Sequence, residues 1–353
     1  MNLAALIPAT TAILAAIFAV ALVDQWLQRR RTYQLIWAIG MAFFAIASAT
    51  EAVAASGGWS DGLVRVWYLS GGVLAAGWLG LGTVFLLART RFGYGYALCV
   101  VAAGMITMAA SSKFPDGATL GAAPLIYALL GVALALVAGV ETYFQNGRWA
   151  RLAGLVVVAA TIVGVVLIVT ASFAPAGVVL DPRTKVPLPA SFPSSLRMLS
   201  TFMNVSGGFA LILGALFSTY VFMPKRRPLG YSLEAGQQGD QFLFNIVLGL
   251  IAVPVNFVVS VPGALRALVR GELNSRVPAT LLIAIGAFVI SGADSLAGLG
   301  DTTYFQLGKL IGVVLIFAGF LVSIEVFREI RVPFTGIVLR AARHEPAEAG
   351  PQH

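Results

Sequence analysis

Four charged residues sit inside or beside long apolar runs, and they are the first chemistry the sequence offers. Glu51 closes one run and Arg65 opens the next, 8.5 and 5.5 residues from the middle of the 57–62 turn. Asp294 and Lys309 stand in the same relation across the 298–303 turn. An ionisable side chain at the centre of a bilayer costs ~2.5–3.5 kcal/mol on insertion scales, so such groups need partners or water. Matched depth on adjacent helices predicts that Glu51 pairs with Arg65 and Asp294 with Lys309. Such pairs either fasten two hairpins or line a shared polar pocket near one membrane face, to which Asn204 and Ser206 are added as polar neighbours.

Other chemistries have little to build on. The single cysteine, Cys99, permits neither an internal disulfide nor a cysteine-based metal site. Both histidines, His344 and His353, fall in the polar C-terminal tail, so no span offers an imidazole as haem ligand, zinc ligand or base. No phosphate-binding loop pattern occurs, and no histidine is placed to activate a serine. The reading is of a protein that is not an enzyme and carries no cofactor or metal.

The elements that position these residues are membrane helices. Of 353 residues, 59% are hydrophobic and 11% charged, against ~25% charged in soluble domains. Apolar runs of about 20 residues match the ~30 Å of hydrocarbon that a helix must cross. Spans are expected over 4–23, 33–55, 66–88, 94–111, 122–142, 152–174, 199–223, 279–299 and 305–327. The first is a retained helix and not a signal peptide, because no basic residue precedes it and Arg29, Arg30 and Arg31 follow it.

The segment 242–262 is apolar enough to span, yet Asn245, Pro254, Asn256 and Pro262 interrupt it. Counting bases decides its place. Left out of the spans, it puts 17 lysines and arginines on one side and 6 on the other (Arg65, Lys113, Arg183, Lys185, Arg197 and Lys309). Counted as a span, it leaves 11 against 12. The positive-inside rule then predicts an all-α bundle of nine spans in a bacterial inner membrane, N-terminus out and C-terminus in, with 242–262 a re-entrant or interfacial element. The chain divides into a seven-span region (1–223), a cytoplasmic segment (224–277), a terminal hairpin (278–330) and a polar tail (331–353). Trp26 and Trp149 fall at inner boundaries and Trp59 and Trp67 at an outer one, as interface anchors do.

Two further patterns concern partners. Gly72, Ala76 and Gly80 form one small-residue stripe, Gly308 and Gly312 another. Such stripes let helices approach closely, within the chain or in a homo- or hetero-oligomer. The net charge of +8 lies in small clusters at helix ends, which reads as membrane orientation and not as a nucleic-acid surface. The outer segment 175–197 holds Pro175, Pro182, Pro187, Pro189 and Pro193, and is either a connector or a stiff lid.

The stretches Gly58-Trp59, Val64-Arg65-Val66-Trp67-Tyr68-Leu69-Ser70-Gly71 and Trp78-Leu79-Gly80-Leu81-Gly82-Thr83 resemble a family of uncharacterised bacterial multi-span membrane proteins. Leu282-Ile283-Ala284-Ile285-Gly286 and Phe317-Ala318-Gly319-Phe320-Leu321 are similar to that family's last two spans. The resemblance implies a helical membrane fold and carries no activity. Two functions therefore stand: binding or translocation of a small molecule at an outward-facing polar site, and a non-catalytic accessory or assembly subunit of a membrane complex.

Overall fold

The computed structural model describes residues 3–114, 120–173, 177–232, 239–298, 302, 304–322, 329–331 and 338–340. Ten helices in it are long and apolar enough to cross a membrane. They are α1 (Leu3–Arg29), α2 (Thr32–Gly57), α3 (Asp61–Leu87), α4 (Phe92–Ser111), α5 (Ala123–Tyr143), α6 (Trp149–Thr170), α7 (Ser194–Phe222), α8 (Gly239–Val269), α9 (Arg276–Gly298) and α10 (Phe305–Val322). Beyond them Glu329–Arg331 pairs antiparallel with Val338–Arg340. The tail beyond residue 340 lies outside the described residues.

Their relative directions follow from close contacts. Trp37 donates its indole N–H to the Leu79 carbonyl (3.0 Å) while Gly71 abuts Ala47, so α2 and α3 run antiparallel. Gly80 lies against the Gly207 backbone and Gly214 against Thr83, so α3 and α7 run parallel. Thr219 and Thr280 share a hydrogen bond (2.8 Å) at one end of α7 and Gly208 meets Ser291 farther along, which makes α7 and α9 antiparallel. Gly286 faces Gly312 and Gly308 faces Ala293, so α9 and α10 form an antiparallel hairpin. These directions gather Arg29, Arg30, Arg31, Arg89, Arg91, Arg148, Arg151, Lys225, Arg226, Arg227 and Arg276 at one end of the bundle.

The stripe glycines are used inside the chain. A Cβ at Gly80 would lie 2.4 Å from Gly207 backbone atoms, and one at Gly312 would lie 2.2 Å from Ile290. The Ala76 carbonyl takes up the space beside Gly207, the Gly72 carbonyl accepts hydrogen bonds from α7, and Gly308 meets Ala293. With no large side chains between them, backbones come close enough for dispersion to hold helices together where the hydrophobic effect cannot.

The core has two parts. One is built on α3 to α7, around Val73, Leu74, Trp149, Leu199 and Phe202. The other joins α1, α2, α9 and α10, where Phe18 packs on Phe317 and Phe320 with ring centroids 5.0 and 4.9 Å apart.

The interruption expected at 242–262 is absent: α8 is one helix with Pro254 and Pro262 inside it. Its polar side chains hold the segment that precedes it. Asn256 accepts from the Leu229 N–H (3.2 Å) and donates to the Leu229 carbonyl (2.8 Å). Ser260 accepts from the Arg226 N–H (2.8 Å). Ala252, Asn256, Ser260 and Ala264 form a buried stripe of small and polar residues, whereas Val247, Ile251, Val258 and Leu265 are exposed. This is a helix with its large apolar side chains turned away from the protein. Its second half clusters with Tyr220, Met223 and Val277, at the bundle end where α7 stops and α9 starts.

Candidate functional site

α2 ends at Gly57 and turns through Gly58, whose φ of +85° suits a residue without a Cβ. Ser60 then caps α3, accepting from the Leu63 N–H (3.4 Å). This short turn sets Trp67 opposite Glu51, with Arg65 two residues nearer the turn, and it does not pair Glu51 with Arg65. Glu51 pairs with Lys309, Nζ to Oε1 2.7 Å, across 258 residues of sequence. The same oxygen accepts the Trp67 indole N–H at 2.5 Å. The reason is angular. Successive helical residues are rotated by ~100°, so Trp67, facing α2, leaves Arg65 pointing ~160–200° away.

Arg65 takes a different task. Its guanidinium donates to the Ala171 carbonyl (2.8 Å), to the Val169 carbonyl (3.4 Å) and to the Ile168 carbonyl, and lies over the Phe173 ring (4.6 Å to the centroid). These are last-turn carbonyls of α6, which lack helical partners and attract a cation. The signal was present in the sequence: α6 ends Val169-Thr170-Ala171-Ser172-Phe173 with no glycine to close it.

The second expected pair changes for the same reason. Gly308 faces Ala293 of α9, so Lys309, one residue on, is turned toward α2. Asp294, beside Ala293, lies within electrostatic reach of both Lys309 and Glu51. Among the described residues it makes no salt bridge with either. The Lys309 ammonium also sits over the rings of Phe305 (4.9 Å) and Phe44 (5.4 Å). Glu51 and Lys309 are 2% and 4% exposed, so the pair is closed to solvent. Ser48, between Phe44 and Glu51 on the same stripe of α2, is fully buried, and its hydroxyl has no hydrogen-bond partner among the described residues.

Asn204 belongs to a neighbouring polar knot. Residues Tyr68–Ala75 of α3 wind as a π-helix, a form that recurs at functional sites. There the Gly72 carbonyl accepts from Asn204 Nδ2 (2.7 Å) and from the Ser200 hydroxyl. Asn204 Oδ1 is buried and has no hydrogen-bond partner among the described residues. Ser206 bonds back to the Phe202 carbonyl of its own helix (2.7 Å). Trp67 and Trp149 are not interface anchors: both are buried, and Trp149 donates to the Ala88 carbonyl (3.1 Å).

Residues 177–193, between α6 and α7, close the end of the bundle opposite the basic clusters. Leu180 and Pro187 form a β-bridge, with Leu188 N–H donating to the Val179 carbonyl (2.8 Å). Trp59, in the α2–α3 turn, donates to the Lys185 carbonyl (2.7 Å). Thr184 hydrogen-bonds Thr302 in the α9–α10 turn. Val186 and Phe192 are buried, Phe192 stacking on Tyr68 with ring centroids 3.6 Å apart. The segment is thus bonded to both turns whose helices carry the ion pair, and is built as a lid.

Comparison with protein-family models, with curated proteins and with solved structures gives no match for the chain.

Removing one partner of a buried pair strands a charge, which costs about 3–5 kcal/mol. Lys309→Met should therefore destabilise the protein by that order in thermal or denaturant unfolding. Adding Glu51→Gln should recover part of the loss, while a double-variant loss equal to the sum of both singles would show that the two do not interact. In the lid, the Thr184 and Arg183 N–H groups donate to Asp181 (2.9 and 2.8 Å) and hold its carboxyl below the usual aspartate range. A depressed folded pKa gives stability that is complete above the free-aspartate value of ~3.9 and is lost as pH falls through the folded value. Hydrogen exchange over 179–188 should be faster in Asp181→Asn than in the wild type by a constant factor from pH 7 to about 4, and the difference should shrink below that.

Proposed function

We propose that this chain is a nine-span protein of a bacterial inner membrane, N-terminus outside and C-terminus in the cytoplasm. In this reading it binds or translocates a small, positively charged molecule at a polar site beneath its outer lid. One observation carries the functional reading: beside the buried Glu51–Lys309 pair stands a second carboxylate, Asp294, on a third helix, within electrostatic reach of both and, among the described residues, in salt bridge with neither. The surplus negative charge calls for a cation, because an uncompensated carboxylate inside a membrane is costly. The unpartnered Ser48 hydroxyl beside it supplies a further donor or acceptor.

Two observations support the topology. The basic clusters gather at one end of the bundle, as cytoplasmic ends do. Since α7 and α9 are antiparallel neighbours, α8 leaves and returns at that same end, and its exposed apolar face suits the membrane interface.

A second reading, an accessory or assembly subunit of a membrane complex, is favoured by the closure of the pair. Trp67, Phe44 and Phe305 surround it, so it serves as a clasp unless the lid and α9–α10 move.

Reporter fusions after Arg227 and after Arg276 should both report cytoplasm; opposite sides would make α8 a true span. For the site, alkali cations and small primary amines should be screened by thermal unfolding in detergent. Near-saturating ligand should raise the midpoint of the wild type by about 3 °C. That rise should vanish in Asp294→Asn and persist in Lys113→Gln, which changes an exposed lysine. No shift with any probe, together with full function of a complex that contains the Asp294→Asn protein, would favour the clasp.

A further inference from the structure

A groove of about 420 Å³ runs along the seam of α2, α3 and α6, away from the outer site. Its wall is formed by Ile36, Trp78, Leu81, Phe85, Gly154 and Val158, with Leu155 at its edge and Arg151 at one end. Gly154 opens it: the residue has no side chain, and the Phe85 ring bounds the space it leaves. The one polar group in the apolar wall, the Trp78 indole N–H, is already bonded to the Thr161 hydroxyl (3.1 Å). Nothing along the wall asks for a polar ligand.

The end of the groove does. Arg151 is exposed, has no carboxylate partner among the described residues, and stands one turn inward from exposed Arg148. Both lie at the basic end of the bundle, level with the turn that carries Arg29, Arg30 and Arg31. From Arg151 to Val158 the wall runs ~10 Å along α6, and from Phe85 to Trp78 it runs ~10 Å along α3. A cation at the membrane surface therefore heads an apolar trough that points into the hydrocarbon. We infer that this groove is a binding site for an anionic phospholipid of the leaflet at the basic end, with its phosphate on Arg151 and one acyl chain along Gly154 and Trp78. Basic pockets between spans on this side attract acidic headgroups over neutral ones. A planar guanidinium meets a phosphate through two parallel hydrogen bonds. The site does not depend on the outer cluster.

The test uses the full-length protein in a neutral detergent, titrated with phosphatidylglycerol or phosphatidylcholine carrying brominated acyl chains. Bromine quenches a tryptophan it touches, and Trp78→Phe isolates the contribution of the groove from the other five tryptophans. The wild type should show Trp78 quenching at about tenfold lower concentration of the anionic lipid than of the zwitterionic one. Arg151→Gln, at an exposed position, should remove that preference and leave the neutral lipid unchanged. Gly154→Leu should fill the trough and abolish quenching by both lipids. Retained Trp59–Lys185 lid protection in hydrogen exchange would confirm that each variant is folded. Equal quenching by the two lipids in the wild type, or an anionic preference that survives Arg151→Gln, would overturn the proposal, as would quenching that survives Gly154→Leu.

Discussion

A carboxylate and an ammonium cannot be left alone in hydrocarbon, and the contact between Glu51 and Lys309 meets that constraint for both. Much else is arranged around it. Trp67 fixes the carboxylate from the side, and so fixes the rotation of α3. Phe44 and Phe305 flank the ammonium, one from each part of the core. The pair therefore sits on the seam between the bundle built from α3 to α7 and the group of α1, α2, α9 and α10. A bond across 258 residues ties the last hairpin to the first and sets the depth at which they meet.

The helices around this contact are held by close approach of backbones. Gly77, Gly80, Gly207 and Gly214 bring α3 and α7 together in parallel, and Gly286, Gly308 and Gly312 do the same for the α9–α10 hairpin. Between the two contacts α3 widens into a π-helix, where Ser200 and Asn204 hydrogen-bond the Gly72 carbonyl. Among the described residues, the buried Asn204 Oδ1 and Ser48 Oγ have no hydrogen-bond partner.

The ends of the bundle differ in kind. At the end away from the basic clusters, a bridged lid is bonded to both turns above the ion pair. At the basic end, α8 lies against the start of the 224–277 segment through Asn256 and Ser260 and turns its large apolar side chains outward. One end closes over a polar cluster while the other presents cations and apolar surface.

The sequence by itself determined the class of fold, a bundle of long apolar helices. Run length against hydrocarbon thickness gave the helices, and the basic clusters gave one end of the bundle. It also marked Glu51, Arg65, Asp294 and Lys309 as the residues to follow, because buried ionisable groups are few. What it did not determine was which partner each would take. Depth along a helix is one coordinate, read by counting residues; the second is the angle around the axis, which changes by ~100° per residue and has no counterpart in hairpin spacing. Trp67 took the angle that Arg65 was expected to hold, and Gly308 took the one that would have turned Lys309 toward Asp294. Likewise, the prolines of α8 predict a break that the helix does not make, and its Asn256 and Ser260 side chains find the 226–229 backbone only in the tertiary structure. Pairing was decided by contacts between distant segments, because the low dielectric of the membrane leaves each polar group only the partners that packing brings within reach.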